Sequence, residues 1–266
     1  MARPQRATSG PAEAGRTTAV APASRCAWRL APKRRNVRPV KAHSERHVAS
    51  DPNQTAVDAA RFLASQIAHA VAQRGEARIA VSGGSTPGFM FTELRQLDVP
   101  WDAVHLYQVD ERVAPDGDPD RNLTGLRAAL LDHVAVHTHL LRVDPVSLDA
   151  PKLPDSFDVI HLGLGDDGHT ASLVPDDPAL DVTDHRLALT NVYKGRRRVT
   201  FTYPVLNSAR TVLWLACGAK KAPFVARATA GDRGIPAGRV ENPNQHWFLD
   251  NAAATADSPI PQGATP

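Results

Sequence analysis

The segment GLGDDGHTASLVP (163–175) places three glycines, two adjacent aspartates and a histidine at the end of the apolar run DVIHLGLG (158–165). Glycines at 163, 165 and 168 match the spacing of a dinucleotide-binding turn. That reading fails on two counts: Asp166 and Asp167 would repel a pyrophosphate, and Pro175 leaves no room for the sustained helix such a turn must open. General-base chemistry fits better. His169 follows a strand end, and Asp167, two residues earlier, is placed to orient the imidazole and stabilise its protonated form. The plain alternative is a histidine that caps a short helix.

Three further segments carry chemistry. In VSGGSTP (81–87), Gly83 and Gly84 leave a strand, and Ser85 and Thr86 precede Pro87 at a helix start. Backbone N–H groups there, with two hydroxyls, would face an anion such as a phosphate, or else form an ordinary strand-to-helix turn. In VDERVAPDGDPDRN (109–122), Arg112 lies among carboxylates and can clamp a phosphate with its planar fork; a surface ion-pair cluster is the alternative. Lys220 and Lys221 open a predicted helix, where positive charge opposes the helix dipole, so at least one of them is expected to answer a bound anion. His133 and His137, read as i,i+4 on a helix with His139 nearby, lack the acidic partner of a metal motif. The basic run Lys194–Arg198 reads as a solvated loop.

These residues need a scaffold, and the pattern supplies one. Asp51 is placed as an N-cap, Pro52 at the first helical position and Gly75 as the stop of a helix whose apolar face is Ala60, Leu63, Ile67, Ala70 and Val71. Strands are predicted over 77–84, 103–110, 157–165, 211–218 and 246–250, with a strand running into a helix over 198–209. Helices are predicted after residue 85, from Asn122, and over 220–231. Strands alternating with helices imply a parallel sheet covered on both faces, with ligands outside the carboxyl ends of the strands.

The chain has 266 residues, 42% of them hydrophobic and 22% charged, as in ordinary globular proteins. Its net charge of +3 misleads, because residues 1–44 hold ten of the 31 basic residues and only one of the 28 acids. The remainder is mildly acidic, which predicts neither a nucleic-acid nor a membrane partner. The Ala/Pro/Arg-rich residues 1–44 are expected to be a disordered extension, 45–252 the folded domain and 253–266 a disordered tail. Cys26 and Cys217 cannot form a disulfide framework, which suits a reducing cytoplasm.

Taken together, SGGSTP (82–87), DERVAP with DRN (110–115, 120–122), GLGDDGHTASLVP (163–175), RVTFTYPVLNSAR (198–210), GAKKA (218–222) and PAGRV (236–240) resemble, in order, the 6-phosphogluconolactonase family. The larger group includes glucosamine-6-phosphate deaminase, and the resemblance spans roughly residues 48–252. It implies a three-layer α/β/α Rossmann-like fold, a mainly parallel sheet, and a site without metal, nucleotide or other cofactor. The implied reaction is hydrolysis of 6-phospho-D-glucono-1,5-lactone to 6-phosphogluconate. Carried over, His169 activates water with Asp167 beside it. Gly83, Gly84 and Ser85 form the sugar-phosphate loop, and Arg112, Arg198 and Lys221 supply positive charge. A monomer with a phosphorylated sugar lactone as its small-molecule partner is expected. The alternatives on the same fold are a sugar-phosphate-binding regulator and an aldose–ketose isomerase or deaminase. The deaminase reading is disfavoured because Val174 stands where that motif carries a proton-shuttling glutamate.

Overall fold

In the computed structural model, residues 43–143 and 148–255 are described. Twelve strands are present among them: β1 His43–Ala49, β2 Ala77–Val81, β3 Val104–Gln108, β4 Asp110–Arg112, β5 His137–His139, β6 Arg142–Val143, β7 Leu148–Asp149, β8 Val159–Gly163, β9 Leu187–Leu189, β10 Arg198–Phe201, β11 Thr211–Ala216 and β12 Asn244–Asp250. The α-helices are α1 Pro52–Arg74, α2 Ser85–Leu94, α3 Asn122–Leu126, α4 Tyr203–Leu206, α5 Ala222–Thr229 and α6 Asn251–Ala254.

Seven strands form one parallel sheet in the order β1-β12-β11-β8-β2-β3-β5. From β2 the chain builds outward through β3 to β5; from β8 it builds the opposite way through β11 to β12. The order therefore reverses between β2 and β8, and loops leaving those two strands splay apart to open a crevice at their carboxyl ends. Both segments read as chemically active, 82–87 and 163–175, leave the sheet there.

Alternation along the strands sorts the core into two layers. Ile79, Val81, Leu106, Leu213, Leu215 and Phe248 face one way, against Leu63 and Ile67 of α1 and Met90, Phe91 and Leu94 of α2. Ile160, Leu162, Val212, Trp214, Trp247 and Leu249 face the other way. There Trp214 and Trp247 stack with centroids 4.4 Å apart, and α4, α5 and α6 complete the layer. Helix α1 forms as its sequence dictates. The Asp51 carboxylate accepts from the Asn53 and Gln54 N–H groups at 2.9 and 3.0 Å, Pro52 leads, and Gly75 ends it at φ 77°.

Four expectations change. The segment 198–201 is a strand, but it belongs to a separate antiparallel sheet, β4-β10-β9, packed on the second face; local pattern identifies a strand without saying which ladder it joins. His137 and His139 lie on the edge strand β5, not on a helix, because the helical turn after α3 ends at Leu131. The helix expected over 220–231 begins at Ala222, after a 3₁₀ turn at Ala219–Lys221. The domain limits also move: β1 begins at His43, and α6, with Ala253 buried, extends to Ala254. The remainder of the expected disordered segments, and Cys26, lie outside the described residues.

Strand β1 pairs along its whole length with β12. A chain starting at Ser50 should therefore melt at least about 5 °C below one starting at His43, as followed by circular dichroism. Equal melting temperatures would show that the β1 pairing adds nothing.

Candidate active site

Strand β8 ends at Gly163, and the chain turns back on itself. The Gly165 N–H donates to the His169 carbonyl at 2.8 Å, and the Thr170 hydroxyl donates to the Gly163 carbonyl at 2.9 Å. Inside this turn the Asp167 carboxylate accepts the His169 backbone N–H at 3.1 Å and lies 2.5 Å from Nδ1 of the same imidazole. With Nδ1 held by a carboxylate, Nε2 is the nitrogen left to take a proton. The second carboxylate oxygen accepts the Tyr193 hydroxyl at 2.7 Å. Burial alone would raise the Asp167 pKa. The hydrogen bond and charge of His169, with the Tyr193 hydroxyl, outweigh it and hold the carboxyl well below the ordinary range. Burial and the bond to Asp167 push the Tyr193 phenol above its usual value, so it stays a donor.

A cleft of about 440 Å³ opens beside this pair. Its walls include Gly83, Gly84 and Ser85 from the start of α2, Arg112 from β4, Arg198 from β10, Lys221 from the turn before α5, and His169 itself. The sequence-predicted residues thus converge, with Asp167 behind the histidine rather than on the wall. Of the two adjacent lysines, Lys220 is exposed, whereas half-buried Lys221 lines the cleft.

The cations sit where charge is costly. Arg112 and Arg198 are directly opposite on the β4–β10 ladder, an arrangement that like charges disfavour. Burial, followed by the charge of Arg112, lowers the Arg198 pKa. Burial lowers that of Lys221 too, against the opposing pull of Asp166 and Asp167. The buried Nε atoms of Arg112 and Arg198 have no hydrogen-bond partner among the described residues. Two guanidiniums with unused donors beside a lysine form a site for a strongly anionic group. At the same wall, the first turn of α2 has no side-chain cap, since Gly84 precedes it at φ 128°.

The Asp-Glu-Arg triplet is not a surface ion cluster. Glu111 is fully buried and accepts from the N–H groups of Asn122 and Leu123 at 2.7 and 2.8 Å, from Arg112 N–H at 2.8 Å and from the Gln108 amide at 2.9 Å. It therefore caps α3 and fixes the strand that presents Arg112. Asp110 accepts the Ser172 hydroxyl at 2.5 Å, tying this strand to the histidine loop.

Sequence reasoning missed Tyr193, Lys194 and Asn122. Lys194 and Gly195, at φ 49° and 81°, turn a tight hairpin closed by the Tyr193 N–H to Arg196 carbonyl bond. That hairpin carries Tyr193 to Asp167 and Lys194 to the cleft. The dipeptide Lys-Gly inside 193–196 was the available signal, and the run's charge obscured it. Asn122 stands where a Cβ on Gly83 would come within 2.2 Å of its Oδ1, so glycine at 83 lets the two loops meet.

The family model described as glucosamine-6-phosphate isomerases/6-phosphogluconolactonase matches residues 50–249. The chain belongs to this family. It is 36% identical over 214 residues to a Synechocystis 6-phosphogluconolactonase, covering 72% of this chain and 89% of that one. Identity to a Nostoc 6-phosphogluconolactonase is 33% over 230 residues, covering 77% and 95%. The solved 6-phosphogluconolactonase of Trypanosoma brucei superposes with a TM-score of 0.71 at 24% identity, over 80% of this chain and 98% of that one, and so shares the fold. In keeping with those relatives, the chain is a lactone-hydrolysing enzyme with the family's α/β architecture.

Removing the Tyr193 hydroxyl leaves Asp167 with one fewer donor and the imidazole less firmly held. Tyr193→Phe should lower kcat roughly 3–10-fold, the scale of a modest loss of positioning, with KM changed less than about twofold. An unchanged kcat would remove Tyr193 from the His169–Asp167 unit.

Proposed function

We propose that the cleft binds 6-phospho-D-glucono-1,5-lactone by its phosphate and hydrolyses the ester to 6-phosphogluconate, with His169 as general base. The observation that carries this reading is the Asp167-held imidazole at the edge of a crevice lined by Arg112, Arg198 and Lys221. Nε2 of neutral His169 takes a proton from water as the water oxygen bonds to the lactone C1 carbonyl carbon. The carbonyl electrons become a tetrahedral oxyanion, stabilised by the cationic wall. As the oxyanion collapses, the bond from C1 to the ring oxygen breaks. The imidazolium returns its proton to that oxygen, leaving a carboxylic acid and a free hydroxyl. Asp167 stays ionised throughout and favours the imidazolium.

Gly83, Gly84 and Ser85 form the phosphate loop with the uncapped start of α2, and the arginines and Lys221 share the phosphate and the oxyanion. Deamination of glucosamine 6-phosphate is disfavoured, because the buried, apolar Val174 offers no group that can shuttle a proton. No helix among the described residues is long and apolar enough to cross a membrane. We further propose that the enzyme acts as a monomer and in the cytoplasm.

A coupled assay on freshly prepared 6-phosphogluconolactone tests the reading. Turnover well above spontaneous hydrolysis is expected, with none for glucosamine 6-phosphate. Arg112→Ala and Lys221→Ala should each lower kcat/KM more than about tenfold, as for a lost charge-assisted contact. Equal hydrolysis of unphosphorylated gluconolactone by the native enzyme would contradict phosphate anchoring.

A further inference from the structure

At the opposite edge of the parallel sheet, Glu45 and His47 alternate onto one face of β1, and His246 of β12 is the register partner of Glu45. The three side chains converge. His47 Nε2 lies 3.2 Å from His246 Nδ1, Glu45 Oε2 lies 3.5 Å from His246 Nδ1, and Glu45 Oε1 lies 3.8 Å from His47 Nε2. Tetrahedral zinc with bonds of about 2.0–2.1 Å separates its ligand atoms by about 3.3–3.4 Å, so these atoms need to move only by tenths of an ångström to share one ion.

The hydrogen bonds around His246 prepare it as a ligand. The Asn244 amide nitrogen donates to the Arg210 carbonyl at 3.1 Å, and a carbonyl can only accept, which turns the Asn244 amide oxygen toward His246. That oxygen, 3.1 Å from His246 Nε2, accepts its N–H. The tautomer is thereby set, and Nδ1 presents its lone pair toward His47 and Glu45. Orientation of a ligating imidazole through its second nitrogen is what metal sites require. The ring of His47 is fixed by stacking on Phe248 at 4.4 Å, and that of His246 packs on Phe62 at 4.5 Å.

We propose that Glu45, His47 and His246 form a site for one divalent transition-metal ion of the zinc class, with water completing the coordination. Two imidazoles and one carboxylate suit zinc or cobalt(II) rather than magnesium or calcium. The ion bridges the edge strand to its neighbour near the start of β12, whereas the cleft opens at the carboxyl ends of β2 and β8. It therefore clamps β1 and has no part in lactone chemistry; by binding only the paired strands it stabilises the fold.

The test is calorimetric titration of the chelator-treated full chain with zinc chloride, alongside thermal unfolding and the visible spectrum with cobalt(II). The native protein should bind one equivalent, melt several degrees higher with zinc, and give the intense bands of tetrahedral cobalt. Glu45→Gln and His47→Ala should each weaken binding at least tenfold and remove the thermal shift, with lactonase turnover within about twofold of native. Glu45 is half exposed, so its variant reports binding even if loss of the His47 ring disturbs the sheet. Absence of saturable binding in the native protein overturns the proposal. So does binding that persists undiminished in His47→Ala, or native-like binding in Glu45→Gln.

Discussion

The imidazole of His169 occupies the space that a side chain at position 165 would fill. A Cβ on Gly165 would lie 2.0 Å from Nδ1 and 2.6 Å from an Asp167 carboxylate oxygen. The bare Cα is therefore what allows the loop after β8 to fold the histidine and its carboxylate back against its own backbone. The glycine at 165 thus makes room for the imidazole. This packing fixes where the imidazole sits at the edge of the cleft.

The second constraint is electrostatic. Placing Arg112 opposite Arg198 and half-burying Lys221 opposes folding, since each group loses hydration and the guanidiniums repel. The fold offsets this cost with rigid support. Glu111 anchors β4 from beneath, and Ser172 ties that strand to the histidine loop. Removing the Glu111 carboxylate would leave buried N–H groups unpaired, each costing about 1–3 kcal/mol. The same framework holds Arg112 and Arg198 at the cleft wall.

Much of this was legible in the sequence because it is local. The α1 caps, the buried strands of the sheet centre and the three loop motifs depend on neighbours in sequence, and they stand where expected. What escaped depends on distant partners. Strand β1, HSERHVA, carries little apolar signal because it is an edge strand with Val48 half exposed, and only its pairing with β12 defines it. The antiparallel ladder that sets Arg112 against Arg198 joins segments 86 residues apart. Tyr193 gives no sign of its role until the hairpin brings it to Asp167, and the inward turn of Glu111 is invisible in a run of charges.

The central claim is that one nitrogen of His169, set by Asp167, activates the water. Its most direct test is kcat of His169→Ala on the phosphorylated lactone, with spontaneous hydrolysis subtracted at each substrate concentration and the fold checked by circular dichroism. The account predicts an intact fold with kcat lower by about 10²–10⁴, the usual contribution of a positioned base. A folded His169→Ala protein that retained near-native kcat would contradict it.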